Sequence, residues 1–152
     1  MKFLTLVFTL PVLLVVMATS AAADGLQDHQ LVDILKANGY HHAQIEHHGT
    51  IKIEKGQDIY YLYNTFGGDL KIVYFNRASA NATYARMNQW NEGERYSVAY
   101  ITTQNHRPAV AANLHTDAGL NTHRIKDFVH RFEKTVIRYK QFVASHANTG
   151  GH

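Results

Sequence analysis

The sequence predicts one α+β domain in which an antiparallel sheet packs with three helices. The chain has 152 residues, a length that suits one packed core better than two. Its 45% of hydrophobic residues argues against wholesale disorder. Helical and strand-like hydrophobic periodicities alternate along the chain, with glycine-containing turns between them.

The first 23 residues predict a cleaved signal peptide. A single lysine precedes an apolar run over residues 3–17, and Ala21 and Ala23 then fit the small-residue cleavage rule. The alternative is an uncleaved membrane anchor, but a spanning helix needs about 20 apolar residues. This run is shorter, and Pro11 interrupts it. We therefore expect a periplasmic or secreted protein that starts near Asp24 and has no stable membrane insertion after cleavage.

The first half of the remaining chain predicts one helix and three strands. Residues 27–38 carry apolar side chains at helical spacing. Isoleucines alternate with charged residues over 51–54, which predicts a strand, and whether Ile45 belongs to another short strand is left open. Residues 59–63 and 70–75 are rich in β-branched and aromatic side chains, and the glycines between them predict a hairpin.

The second half predicts a helix, a second hairpin and a long final helix. Residues 79–91 form the predicted helix, and residues 96–103 and 109–114 form the hairpin. Asn121 is suited to cap the final helix. Apolar residues over 125–143 make one continuous stripe on a helical wheel, so we expect this helix to bury one side.

Composition excludes several function classes. The absence of cysteine rules out disulfides, thiol catalysis and thiolate metal sites. The net charge of +3 is weak, and an exported protein does not meet the chromosome, so we expect no nucleic-acid partner. Residues 24–146 are assigned to the domain. The polar stretch 147–152 is expected to be a disordered tail.

A segment in the middle of the chain resembles the YbjN family. Its core is an Asn-x-Trp-Asn sequence followed by an arginine–aromatic pair and a strand that ends near Tyr100. The motif residues are Asn88, Trp90, Asn91 and Arg95. The resemblance extends to the Leu-x-x-x-Gly-Tyr sequence over 35–40 and to the aromatic positions of the final helix.

The resemblance implies a fold like that of the type III secretion chaperones, in the order α-β-β-β-α-β-β-α. Members of the family are described as sensory-transduction regulators or as proteins of unknown function, and the family offers no catalytic residue to carry over. Many relatives have cysteines in the first hairpin, near the positions of Asn64 and Asp69 here. A redox role inferred from relatives is therefore void for this chain.

The motif around Trp90 allows two interpretations. Asn88 and Asn91 are three residues apart and so lie on one helix face, where they could form a polar pocket. Alternatively, Trp90 wedges the helix against the sheet while the amides bind nearby backbone. We favour the wedge, because a helix terminus has carbonyls that need donors.

Neither catalysis nor a cofactor is indicated, and metal binding is the alternative function. There is no Gly-x-Ser-x-Gly sequence and no paired-carboxylate motif, so we expect a protein that is not an enzyme. Glu46 and His48 would share one face of a strand and could hold one ion if a third ligand came from elsewhere. No spacing matches a known metal signature, and a periplasmic histidine-based metal-binding protein remains the second hypothesis.

The predicted first hairpin is apolar on both of its faces, which is unusual for a sheet that is covered on one side. Either helices cover both faces or one face meets a partner. The candidate partner surface consists of Tyr60, Leu62, Val73 and Phe75, with the opposite choice of face left open. A homodimer or a protein or peptide partner would cover it, which predicts an exported binding or regulatory protein.

Overall fold

The computed structural model describes residues 26–65, 68–77, 82–115 and 120–145. In these ranges six strands form one antiparallel sheet in the order β1-β2-β3-β4-β6-β5. The strands are β1 (His42–His47), β2 (Thr50–Lys55), β3 (Asp58–Asn64), β4 (Leu70–Phe75), β5 (Val98–Ile101) and β6 (Pro108–Leu114). The helices are α1 (Asp28–Ala37), α2 (Tyr84–Gly93) and α3 (Thr122–Ala144).

The predicted α+β class and element order are confirmed. The stretch around Ile45, left open from the sequence, is the edge strand β1. The predicted signal peptide over 1–23 and the predicted tail over 147–152 lie outside the described residues. Within the described ranges, no helix combines the length and the apolarity that crossing a bilayer requires.

The predicted start of the second helix needs correction. Residues 79–81 lie outside the described residues, and the helix begins at Tyr84 because Thr83 has extended backbone and caps it. The Thr83 hydroxyl accepts a hydrogen bond from the Arg86 amide at 3.3 Å. The strand expected over 96–103 is likewise shorter, since β5 contains only Val98–Ile101.

The first helix is tied to the sheet through Asp28. Its carboxylate accepts hydrogen bonds from the Gly49 amide at 2.7 Å and from Asn64 Nδ2 at 2.9 Å. Burial alone would raise the pKa of Asp28, but these hydrogen bonds and the neighbouring His48 more than offset it and hold the pKa below 3.8. The carboxylate therefore joins the start of α1 to the β1–β2 turn and to the end of β3.

The final helix has the predicted cap and the predicted buried side. Asn121 Oδ1 accepts a hydrogen bond from the Arg124 amide at 2.9 Å. The buried apolar residues of α3 recur at helical spacing, as expected for a helix that covers a sheet. They are Ile125, Phe128, Val129, Phe132, Val136, Tyr139 and Val143.

All three helices pack on the same face of the sheet. Buried residues of α1, α2 and α3 form one cluster with inward-facing residues of the strands. We call this side of the sheet the helix-covered face. Its strand residues include Ile51, Ile53, Tyr60, Leu62, Leu70, Ile72, Tyr74, Val110 and Ala112. No helix of the described part of the chain lies over the opposite side, so the helices do not cover both faces.

Candidate binding surface

Trp90 is a buried wedge between helices and sheet, as the favoured interpretation predicts. Its side chain is 7% exposed. The ring meets Tyr139 edge-on with centroids 5.3 Å apart and lies 5.4 Å from Phe142. The indole Nε1 donates to the hydroxyl of Ser97 at 3.2 Å, so its polar atom is satisfied without a ligand. This position supports stability rather than a pocket.

The amide of Asn91 fastens α2 to the edge strand β5. Asn91 Nδ2 donates to the Ala99 carbonyl at 3.0 Å, and Asn91 Oδ1 accepts from the Ala99 amide at 2.7 Å. Both polar atoms of the side chain are thus used on one residue of the strand. Asn88 and Arg95 are exposed, so the four motif residues do not line a common pocket.

The four residues of the candidate partner surface do not share a face. Strand pairing places Tyr60 opposite Tyr74 and Leu62 opposite Ile72, and all four are buried under the helices. The expectation that Tyr60 and Leu62 share a surface with Val73 and Phe75 is therefore wrong. The reason is the β3–β4 register, which alternation within a single strand does not fix.

Val73 and Phe75 belong to the opposite side of the sheet, which we call the open face. Cross-strand pairs join Tyr61 to Val73, and equivalent positions of β5 and β6 extend the surface. The open face comprises Tyr61, Tyr63, Lys71, Val73, Phe75, Val98, Tyr100, Ala109 and Ala111. The choice between the two faces was left open from the sequence, and strand pairing puts Tyr61 and Tyr63 on the same side as Val73 and Phe75.

The open face has a small apolar cluster at its centre. Val73 is 1% exposed although no described helix covers it, because Tyr63, Phe75 and Tyr100 surround it and its β6 neighbours are small alanines. The rings of Tyr61 and Phe75 meet edge-on with centroids 5.8 Å apart. The aromatic side chains of the open face are therefore held in place by their contacts with one another.

The polar groups of the open face include the Lys71 ammonium and the hydroxyls of Tyr63 and Tyr100. Lys71 Nζ lies 5.9 Å from the centre of the Tyr100 ring. Burial raises the pKa of the Tyr63 hydroxyl and, for the same reason, the pKa of Tyr100. Both phenols are therefore neutral at ordinary pH and can donate hydrogen bonds to a partner.

Glu46 and His48, the two residues considered for metal binding, do not form a metal site. Glu46 and His48 are both exposed, and the nearest carboxylate to His48 is Asp28, with Nδ1 3.4 Å from Oδ2. Asp28 is already occupied by Asn64 and the Gly49 amide. In the ranges that the structure describes, no group of three His, Asp or Glu side chains could hold a metal ion.

A buried carboxylate that sequence reasoning missed lies between α3 and the sheet. Glu133 is buried on α3, and its Oε1 lies 2.7 Å from Lys55 Nζ at the end of β2. Lys55 Nζ also lies 4.8 Å from the centre of the Tyr40 ring. On a helical wheel Glu133 flanks the apolar stripe, four residues after Val129 and three before Val136, so this position was the signal that could have marked it as buried. Its ion pair makes it a link between helix and strand.

The geometry defines a small α+β protein whose sheet is backed by helices on one face and carries an ordered aromatic patch on the other. The sequence matches the YbjN family, described as "Putative bacterial sensory transduction regulator", over residues 27–144. The chain belongs to the YbjN family. No curated protein and no solved structure gives a significant match.

Proposed function

We propose that this protein is an exported regulator that acts by binding another protein through the open face of its sheet. The observation that carries the proposal is the one-sided packing of the helices, which leaves a preformed aromatic surface on the other side. Monomeric proteins rarely leave a contiguous apolar patch to water. The family description, a regulator of sensory transduction, supports a role in binding.

The composition of the open face suits a protein interface. Tyrosine and phenylalanine are enriched at the centres of interfaces, where they bury much area at little entropic cost. Val98 adds an apolar side chain that is 57% exposed. Because the rings of the patch already pack on one another, a partner would meet a surface that needs little ordering.

Charge favours a partner protein over a second copy of the chain. Lys52 on the neighbouring strand is neutralised by Glu54 at 2.5 Å, whereas Lys71 is not ion-paired with any residue that the structure describes. An isologous dimer across this face would enclose two copies of this lysine in one interface. A partner that combines apolar side chains with a carboxylate complements both the rings and Lys71.

The export half of the proposal rests on the apolar N-terminal run and on the small residues Ala21 and Ala23. Intact-mass spectrometry of protein from the exported fraction tests it. We expect a chain that begins at or near Asp24. Recovery of the full-length chain in the membrane fraction would contradict cleavage and favour an anchor.

The binding half is tested by co-purification from the exported fraction with tagged protein. Val98→Lys on the open face is compared with Ile137→Lys on the outer side of α3, since these side chains are 57% and 56% exposed. We expect a specific protein to be recovered with the wild type and with Ile137→Lys, and to be lost with Val98→Lys. Light scattering on the same samples shows whether the partner is a second copy.

A further inference from the structure

A groove lies at the end of the sheet where the β2–β3 turn, the end of β4 and the β5–β6 turn come close to α3. Its volume of about 830 Å³ falls within the range of small-molecule sites. Aromatic side chains line one part and charged side chains line the rest. The residues that matter here are Tyr61, Tyr74, Phe75, Arg77, Arg107 and Lys140. We call this feature the end groove.

The cations of the end groove are unequally neutralised. Asp58 accepts two hydrogen bonds from Lys140 Nζ, at 2.8 and 3.0 Å, and Glu54 is paired with a lysine of its own strand. Arg77 and Arg107 are exposed, and neither is ion-paired with a residue that the structure describes. The groove therefore presents two guanidinium groups whose charge is not balanced.

The pairing of β4 and β6 brings these two arginines together. The ladder continues past the last paired residues, because the Asn76 amide donates to the Pro108 carbonyl at 2.9 Å. β4 ends at Phe75 and β6 begins at Pro108, and the residues just beyond these strand ends, Arg77 and Arg107, both line the end groove. Two like charges that line one groove repel each other unless an anion lies between them.

The turn that carries Arg107 is held in a fixed conformation. The Thr102 amide donates to the Arg107 carbonyl at 2.8 Å, and the Arg107 amide donates to the Thr102 hydroxyl at 2.9 Å. The preceding residue, His106, has a φ of 53°, which is uncommon for a residue with a side chain. Such a conformation persists where the surroundings enforce it, often at a binding site.

We propose that the end groove binds an oxyanion, a carboxylate or a phosphate, that is attached to an apolar body. Arg77 and Arg107 would hold the oxyanion, since the guanidinium fork matches both groups and two adjacent cations gain most from a shared anion. Phe75 and Tyr61 would contact the apolar body. This inference does not depend on the protein-binding role of the open face.

Lys140 and Tyr74 are consistent with the assignment of the oxyanion to the two arginines. Lys140 is held by Asp58 and leaves the arginines as the free cations. Burial first, and then the neighbouring Asp58, raises the pKa of Tyr74 to about 12. The Tyr74 phenol therefore stays neutral at ordinary pH and adds no negative charge that would repel an anion.

Calorimetric titration of the purified, tag-free protein with octanoate, octyl phosphate and 1-octanol tests the inference. The three probes carry an unbranched apolar chain of seven or eight carbons and differ chiefly in the head group. We expect saturable binding of at least one anionic probe, with a dissociation constant about tenfold or more below that of octanol, as for a hydrogen bond between charged groups. The stronger of the two anions identifies the ligand class. Added salt should weaken this binding.

The variant Arg77→Gln/Arg107→Gln should lose this preference for anions, while Arg95→Gln, an exposed arginine outside the groove, should retain it. Urea unfolding of the double variant should show equal or greater stability, because two like charges are removed from one groove. Equal affinity for octanol and for both anions, or unchanged anion binding in the double variant, would overturn the inference. Loss of protein partners in Val98→Lys bears only on the proposed function.

Discussion

The two faces of the sheet are built from similar residues and are used differently. On β3, Tyr60 and Leu62 face the helices while Tyr61 and Tyr63 lie on the open face. The helix-covered side buries its residues against three helices. The open side packs its rings on one another and keeps them partly accessible. The position of the helices, and not the sequence of the strands, therefore determines which face of the sheet is buried and which stays partly accessible.

The two faces of the sheet also differ in whether their polar groups have partners within the protein. Under the helices, Trp90 Nε1 has a fixed protein partner in Ser97. On the open face, Lys71 Nζ lies over the Tyr100 ring, 5.9 Å from its centre, and forms no ion pair with a described residue. Satisfied polar atoms are typical of a core.

The largest expected effect is the loss of the wedge on the helix side. Trp90→Ala should lower the free energy of unfolding by about 3–5 kcal/mol, because the cavity it leaves is lined by Tyr139 and Phe142. Urea unfolding measures it. Trp90→Phe keeps ring contacts and loses the bond to Ser97, so its cost should be smaller. A loss below about 1 kcal/mol for the alanine variant would mean that Trp90 is not part of the core.

Neighbouring residues of β3 allow the two faces to be compared directly. Leu62→Ala should lower the free energy of unfolding by about 2–5 kcal/mol, since Leu62 is fully buried under the helices. Tyr63→Ala should cost about 1 kcal/mol, since Tyr63 is only half-buried. Equal losses in the two variants would show that something covers the open face as completely as the helices cover the other.

A smaller effect is expected from pH, through Asp28 on the helix side. Its pKa is lower in the folded protein than the ordinary 3.8, so its contribution to stability is complete above that value and is lost as the pH falls through the lower, folded pKa. Urea midpoints measured from pH 6 down to pH 3 should therefore fall more steeply for the wild type than for Asp28→Asn. Asp33→Asn, at an exposed position of the same helix, should follow the wild type.

Much of the fold follows from local sequence signals. The cap at Asn121, the buried stripe of α3 and the first hairpin are set by side chains close to one another in the chain, so periodicity and turn chemistry predict them. The burial of Trp90 between helix and sheet was also predicted, because a large indole at a helix end beside a strand can bury its ring there while its N–H finds a partner.

The composition of the open face depends on the pairing between strands, which no short stretch of the sequence specifies. Alternation within β3 separates Tyr60 from Tyr61, but only the β3–β4 register shows that Tyr60 joins Tyr74 while Tyr61 joins Val73. The pairing of β4 with β6 likewise crosses an intervening helix and strand, so nothing along the chain signals that Arg77 and Arg107 line one groove. Lys55, the ion-pair partner of Glu133, is also distant from it in sequence.

Site-specific photo-crosslinking tests the central claim most directly, namely that the open face is the side of the sheet that binds another protein. A photoreactive phenylalanine derivative is placed at Val98 on the open face or at Ile137 on α3, positions that are 57% and 56% exposed. We predict a discrete adduct with another protein from residue 98 and none from residue 137 after irradiation of producing cells. Adducts of equal yield from both positions, or none from residue 98, would contradict the account.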